Sequence, residues 1–290
     1  MPRTLTSFGL RTLAAIIAGL ALSAAPACAQ GKVEARYSAT LGGIPIGSGT
    51  WVIDIAADHY MAAASGRASG LMRVFASGEG SSAVRGLVKR GRLLPGSFAV
   101  NMRSHDSFDV RMEMSGGNVK DLVSEPPLEP SPDRVPLTEA HRKGIVDPMT
   151  AVLMPVGGKG DVLTAEACQR KLPIFDGRQR FDLKLAFKRM DQVESERGYS
   201  GGAVVCSGSY EPIAGHRPGR YVIRYLQETR ELEIWLVPIA GTRIVVPYRV
   251  SIPTFFGIAI LQATQFETEA QAPAPSRATS TPGGRPARGS

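Results

Sequence analysis

The sequence predicts a mainly β fold, a single strongly curled antiparallel sheet forming an incomplete barrel or β-spiral, with one or two short helices. Three observations carry this expectation. Apolar side chains recur at every second position through most of the chain, which is the spacing of a strand with one buried face. Glycine-rich stretches at 42–49, 78–80, 116–117, 157–160 and 198–202 separate many of these runs, as tight turns require. Helix-type spacing interrupts the pattern at one place, and no repeat of 20–50 residues is visible.

The first strand covers 33–41, where Val33, Ala35, Tyr37, Ala39 and Leu41 alternate with polar positions. "GGIPIG" follows as a turn or bulge, and a second strand over 49–57 places Trp51, Ile53 and Ile55 on one side. Later runs are Phe98, Val100, Met102; Phe108, Val110, Met112, Met114; Phe181, Leu183, Leu185, Phe187; Leu232, Ile234, Leu236; and Ile244, Val246, Tyr248, Val250. So many strands in series leave exposed edges unless the sheet curls.

The interruption lies at 124–155. Its first half, "SEPPLEPSPDRVPLTEAHRKG", is too proline-rich for a hairpin. In "IVDPMTAVLMP", Asp147 is placed to cap a short helix, Pro148 to begin it and Pro155 to stop it. Met149, Val152 and Leu153 share its apolar face, read as packing over one mouth of the sheet in preference to a lid on a ligand cavity.

The two ends set the compartment. Arg3 and Arg11 precede an apolar run from Leu13 to Leu22, and Ala27-Cys28-Ala29 follows as a cleavage signal, so residues 1–29 read as a signal peptide for the periplasm. The run is too short for a permanent membrane anchor, and Ala25-Pro26-Ala27 before Cys28 lacks the leucine usual in a lipoprotein signal. Residues 30–269 form one all-β domain, and the Pro/Ala-rich tail 270–290 is too poor in apolar surface to order. Five of the eight net positive charges fall in the two ends, and so mildly basic an exported body argues against a nucleic-acid partner.

Cys168 and Cys206 remain after Cys28 leaves with the signal, and in an oxidising compartment they are expected to form a disulfide. His59, His105, His141 and His216 are scattered without ligand spacing, so neither a metal nor another cofactor is expected. "GYSGG" fits G-x-S-x-G, which would make Ser200 a hydrolase nucleophile. A nucleophile elbow needs a helix directly after the serine, whereas Gly-Gly-Ala-Val-Val-Cys is β-like, so Ser200 reads as a turn residue. Asp106 with Asp109, and Glu231 with Glu233, read as solvated strand surface. Arg170, Lys171, Arg178 and Arg180 surround an Asp176-Gly177 turn, a basic loop read as a soluble hairpin in preference to a contact for anionic lipid, lipopolysaccharide or a partner.

In order along the chain, "YSATLGGIPIGSGT", "DPMTAVL", "CQRKLPIFDGRQRFDL" and "GYSGGAVVCSGSYEPIAG" resemble an exported proteobacterial family known only as a domain of unknown function, over about Lys32 to Phe266. That resemblance implies a periplasmic β-rich protein and transfers no catalytic residues. The layout is similar to periplasmic β-spiral proteins that support cell-envelope integrity, and more distantly to lipoprotein-carrier half-barrels. The expected function is non-catalytic envelope maintenance, through an apolar, lipid-like ligand or an envelope protein partner on the curled sheet. The alternatives are an exported serine hydrolase using Ser200 and a purely structural scaffold. The expected ligand contacts are Trp51 and Trp235, with Arg178 and Arg180 at the rim.

Overall fold

The computed structural model describes residues 30–69, 78–104, 107–229 and 231–271; residues 1–29, expected as a signal peptide and including Cys28, then His105, Asp106 and all but the first two residues of the expected tail lie outside them. The strands are β1 (Gly31–Leu41), β2 (Ile44–Ile55), β3 (His59–Ala68), β4 (Glu79–Lys89), β5 (Arg92–Arg103), β6 (Phe108–Ser115), β7 (Asn118–Glu125), β8 (Met154–Pro155), β9 (Arg170–Phe175), β10 (Arg180–Glu194), β11 (Arg197–Gly198), β12 (Ser200–Ala214), β13 (Leu232–Pro238), β14 (Ile244–Thr254) and β15 (Gly257–Ala270). Two short α-helices accompany them, α1 (Pro148–Ala151) and α2 (Tyr221–Glu228).

All the strands belong to one sheet, whose main path runs β7-β6-β5-β4-β3-β2-β1-β15-β14-β13-β12-β10-β9. It consists of two antiparallel meanders joined in the middle where β1 pairs β15, Gly31 opposite Ala270. Register shifts interrupt several ladders, at Ala39/Thr40, Arg85/Gly86, Glu113/Met114 and Phe187/Arg189 among others, and each bulge adds local twist and bends its strand. The expected turn or bulge at "GGIPIG" is both: Gly42 and Gly43 turn at positive φ, and the register slips just beyond.

The sheet does not close by a ladder. Its edge strands β7 and β9 are spanned by the stretch before α1, where Ile145 donates its N–H to Gly117 O (2.8 Å) and Phe175 donates to Val146 O (3.0 Å). The curl encloses one core built from both meanders, including Val33, Ile53, Tyr60, Met112, Phe175, Val246 and Phe266. A second core lies on the opposite face of the C-terminal meander, where Leu185, Val204, Leu232, Leu236 and Val245 are covered by Met154, Val156 and the Cys168 region. Burial on both faces explains the continuous apolar runs at 203–206, 234–237 and 244–248, which alternation alone does not describe. It also reassigns Leu183, Leu185, Leu232, Ile234 and Leu236 to the outer core, and leaves Phe187 exposed.

Helix α1 is a plug inside the curl. The Asp147 side chain accepts the Thr150 N–H (2.9 Å), Pro148 occupies the first turn, and Met149 and Leu153 join the main core. Thr150 also shares a hydrogen bond with the buried Tyr60 hydroxyl (2.6 Å), which fixes the plug to β3. Cys168 and Cys206 form the expected disulfide, with Cα atoms 5.4 Å apart and both residues fully buried.

Candidate functional site: an apolar groove in the curl

An apolar groove of about 470 Å³ lies along the inner face of β1, β2 and β3, bounded by β15, which pairs β1, and by β14 beyond it. Tyr37, Trp51 and Ala64 form one wall, Pro247, Val250 and Leu261 the other, and Met149 and Val152 of the plug contribute from α1. Alternation directs small residues inward here. Ala35, Ala39, Ala62 and Ala64 share the inward parity of Val33 and Tyr60, so β1 and β3 leave space between the larger core side chains. The Tyr37 hydroxyl donates to Pro247 O (2.7 Å), tying the two meanders together at the groove, and its ring lies 6.4 Å from that of Trp51. Burial, reinforced by Tyr248, pushes the Tyr37 hydroxyl far above its ordinary pKa, so it stays a neutral donor.

One polar feature interrupts the apolar lining. The buried Trp51 indole N–H has no acceptor among the described residues, a state that a buried polar group rarely sustains without a ligand or water. Arg67, the charged residue bordering the groove, has the outward parity of Ser65 and pairs in register with Ser48, so its exposed side chain belongs to the opposite, polar face. A larger hollow of about 640 Å³ lies on the polar face of the same strands, among Arg36, Ser38, Thr50, Ser65, Ser81 and Asn101. Hydroxyls open to water gain little from a ligand that only replaces that water, so the apolar groove is the stronger binding candidate.

Of the residues singled out from sequence, Trp51 alone lines this groove. Trp235 is packed elsewhere: its indole N–H donates to Asp191 (2.9 Å), and the Arg189 and Arg249 guanidiniums lie 5.2 and 4.7 Å from its ring. Arg178 and Arg180 are not at the rim. Arg178 lies over the Phe108 ring (5.1 Å) and donates to Ser124 Oγ (3.0 Å) and Pro126 O (3.1 Å), fastening the β9–β10 turn to the far edge of the sheet. Arg180 and Lys171 pair with Asp182. Burial opposes ionisation of that carboxyl, and the two cations outweigh it, holding Asp182 below the ordinary carboxylate range. Nor is Glu233 solvated strand surface; it accepts from Lys188 and Arg189 and is largely buried. The β3 wall of the groove, with Ala64, was missed because "MAAASG" carries no strong strand signal.

Ser200 is the first residue of β12, opposite Glu194, rather than within the turn itself. A fifteen-residue strand follows it where an elbow would require a helix, and His216 lies past the other end of that strand. Among the described residues no hydrogen bond joins Ser200 to a histidine, and no cluster of His, Cys, Asp or Glu has metal-site geometry. The first glycine of the motif has a packing reason. Gly198 has φ +99°, and a Cβ there would fall 2.0 Å from Phe266 O, so only glycine allows β11 to approach β15.

The fold and groove define a mainly β, barrel-like protein whose sheet is not closed by a ladder and carries an apolar groove beside its filled core. The chain belongs to the family described as "Protein of unknown function (DUF3108)", whose model matches residues 36–264. Among solved structures it is similar to the crystal structure of a beta-barrel-like protein of domain of unknown function DUF1849 from Brucella abortus, at 9% identity and a TM-score of 0.43, covering 83% of this chain and 98% of that one. No curated protein sequence matches the chain significantly.

Proposed function

We propose that this chain is a non-catalytic binding protein of the cell envelope that holds an extended apolar chain, such as the acyl chain of a lipid, in the groove beside Trp51. The observation that carries the reading is the groove itself: about 470 Å³, walled almost wholly by apolar atoms, with an unpartnered indole N–H. Its size falls in the range of about 300–1,000 Å³ typical of small-molecule sites. Each buried methylene contributes about 0.8 kcal/mol. A carbonyl or carboxylate head would satisfy the Trp51 donor. The signal-like N-terminus supports an envelope lipid as the source of the chain.

The two tryptophans make the test direct. In a Trp235→Phe variant the remaining indole emission comes from Trp51, and titration with a bromine-substituted palmitate is expected to quench it saturably. Ala64→Phe, which fills the groove, should abolish the saturable phase. Arg67→Ala, on the opposite face of β3, should leave the saturable phase unchanged. Linear quenching, or saturable quenching that survives Ala64→Phe, rules the groove out and leaves the scaffold reading.

A further inference from the structure

One end of the molecule bears a patch that the groove reading does not use. The β14–β15 turn carries Phe255 and Phe256, 72% and 78% exposed, and the neighbouring β1–β2 turn carries Ile44, 56% exposed. The two turns lie side by side, because Gly42 donates its N–H to Ile258 O (3.0 Å). Helix α2 completes the patch: the exposed Tyr221 ring meets Phe255 edge-on at 6.0 Å, and Val222 is exposed beside it. Exposed hairpin tips are ordinarily polar, and a contiguous apolar patch marks an interaction surface.

The charge distribution identifies the partner. No charged residue occurs from Tyr37 to Ile53 or from Val250 to Phe266, the two stretches that form both hairpins. The cations flanking the tip are Arg220 and Arg224, both exposed, while the acid of α2, Glu228, is confined to its last residue. An uncharged aromatic tip beside exposed arginines matches the interfacial zone of an anionic bilayer, where aromatic rings settle at headgroup level and cations meet lipid phosphates. No described helix is long and apolar enough to cross a membrane, so the contact is peripheral. Ile46, Val250 and Leu261 line the groove and belong to the same two hairpins, so the groove continues into the patch.

We infer that this end docks on the surface of an anionic phospholipid bilayer, Phe255 and Phe256 entering the interface and Arg220 and Arg224 facing the phosphates, with the groove mouth turned toward the lipid. Docking deepens the groove reading and rests on it only for what is exchanged there; the two are separately measurable.

The test is co-sedimentation of the full chain with vesicles of phosphatidylethanolamine and phosphatidylglycerol, against vesicles of phosphatidylcholine. The native chain should bind the anionic vesicles preferentially. Phe255→Ser/Phe256→Ser should lower binding about tenfold or more, as expected for withdrawing two aromatic rings from an apolar phase. Arg220→Glu/Arg224→Glu should remove the preference for anionic vesicles while sparing the weaker binding to phosphatidylcholine. Residues 1–29 are common to all three proteins, so the differences report the patch. Urea midpoints confirm that each variant folds, and Val222→Glu is a second tip variant if one does not. Native-like binding by both tip variants overturns the inference, as does absence of binding by the native chain. A dimer dissolved by the tip substitutions, without vesicle binding, would assign the patch to a second copy instead. Saturable Trp51 quenching in vesicle-free solution tests the groove whatever the vesicles show.

Discussion

Asp147 combines two roles that oppose each other. Its carboxylate caps α1 through the Thr150 N–H, yet the residue is fully buried and its second oxygen has no partner. Burial raises its pKa against the opposing hydrogen bonds from Thr150 and Met149. The folded chain therefore keeps this proton to higher pH than the unfolded chain does. The stability it contributes is full below the ordinary carboxylate range, and it is lost as pH rises from there through the raised value. Asp147→Asn keeps the cap and removes the titration. The expected outcome is a variant whose stability relative to the native chain increases from pH 4 to pH 7, read as the difference between urea-unfolding free energies. Asp147→Ala removes the cap as well, at a cost of about 1 kcal/mol. Asp176, half-buried and likewise raised, is unchanged in these variants and cancels from the difference.

The segment between β8 and β9 shows how an irregular element is held without strands of its own. Arg243 donates to Val156 O (3.0 Å), Gly157 O (2.6 Å) and Gly160 O (2.6 Å), and Arg170 donates to Ala167 O (2.7 Å) and Pro155 O (2.6 Å). These bonds satisfy carbonyls that no ladder reaches. The Cys168–Cys206 bond then fixes the end of the segment to β12, closing a loop of 38 residues over the outer core. Loop closure of that length is worth about 3–4 kcal/mol in the chain-entropy model. Cys168→Ser/Cys206→Ser should lower unfolding stability by about that amount in urea. Quenching of Trp51 should persist, because the groove belongs to the other face and to the junction of the two meanders.

At the scale of the molecule, the sheet is held into a curl at two places: the β1–β15 ladder and the fastening of its edges. The first is a long ladder; the second depends on the stretch before α1 and on Arg178. Arg178→Ala should cost about 1–3 kcal/mol, the loss expected when charge-assisted hydrogen bonds leave their acceptors unpaired. It should also raise amide exchange in β7 and β9 while leaving β1 and β15 protected. Uniform loss of protection across the sheet would show that the edges and the ladder open together.

Much of the architecture was legible in the sequence because strand alternation is local: β1, most of β2, β6 and the inner-facing positions of β14 follow from period-two spacing, and the Asp147–Pro148 start of α1 from capping chemistry. Small inward residues hid β3, and "EGSSAVRGLVK" hid β4, since neither offers the large alternating side chains that mark a strand. Two-sided burial concealed which face of β10 and β13 looks inward. The sequence by itself determined the β class, the cysteine pair and the short capped helix. Only the tertiary structure decided that Trp51 borders an open groove while Trp235 is packed among arginines, and that two uncharged hairpins meet at one end. The physical reason is that periodicity specifies which side of a strand a residue occupies, whereas a cavity or a patch depends on residues far apart in sequence being brought together by the curl of the sheet.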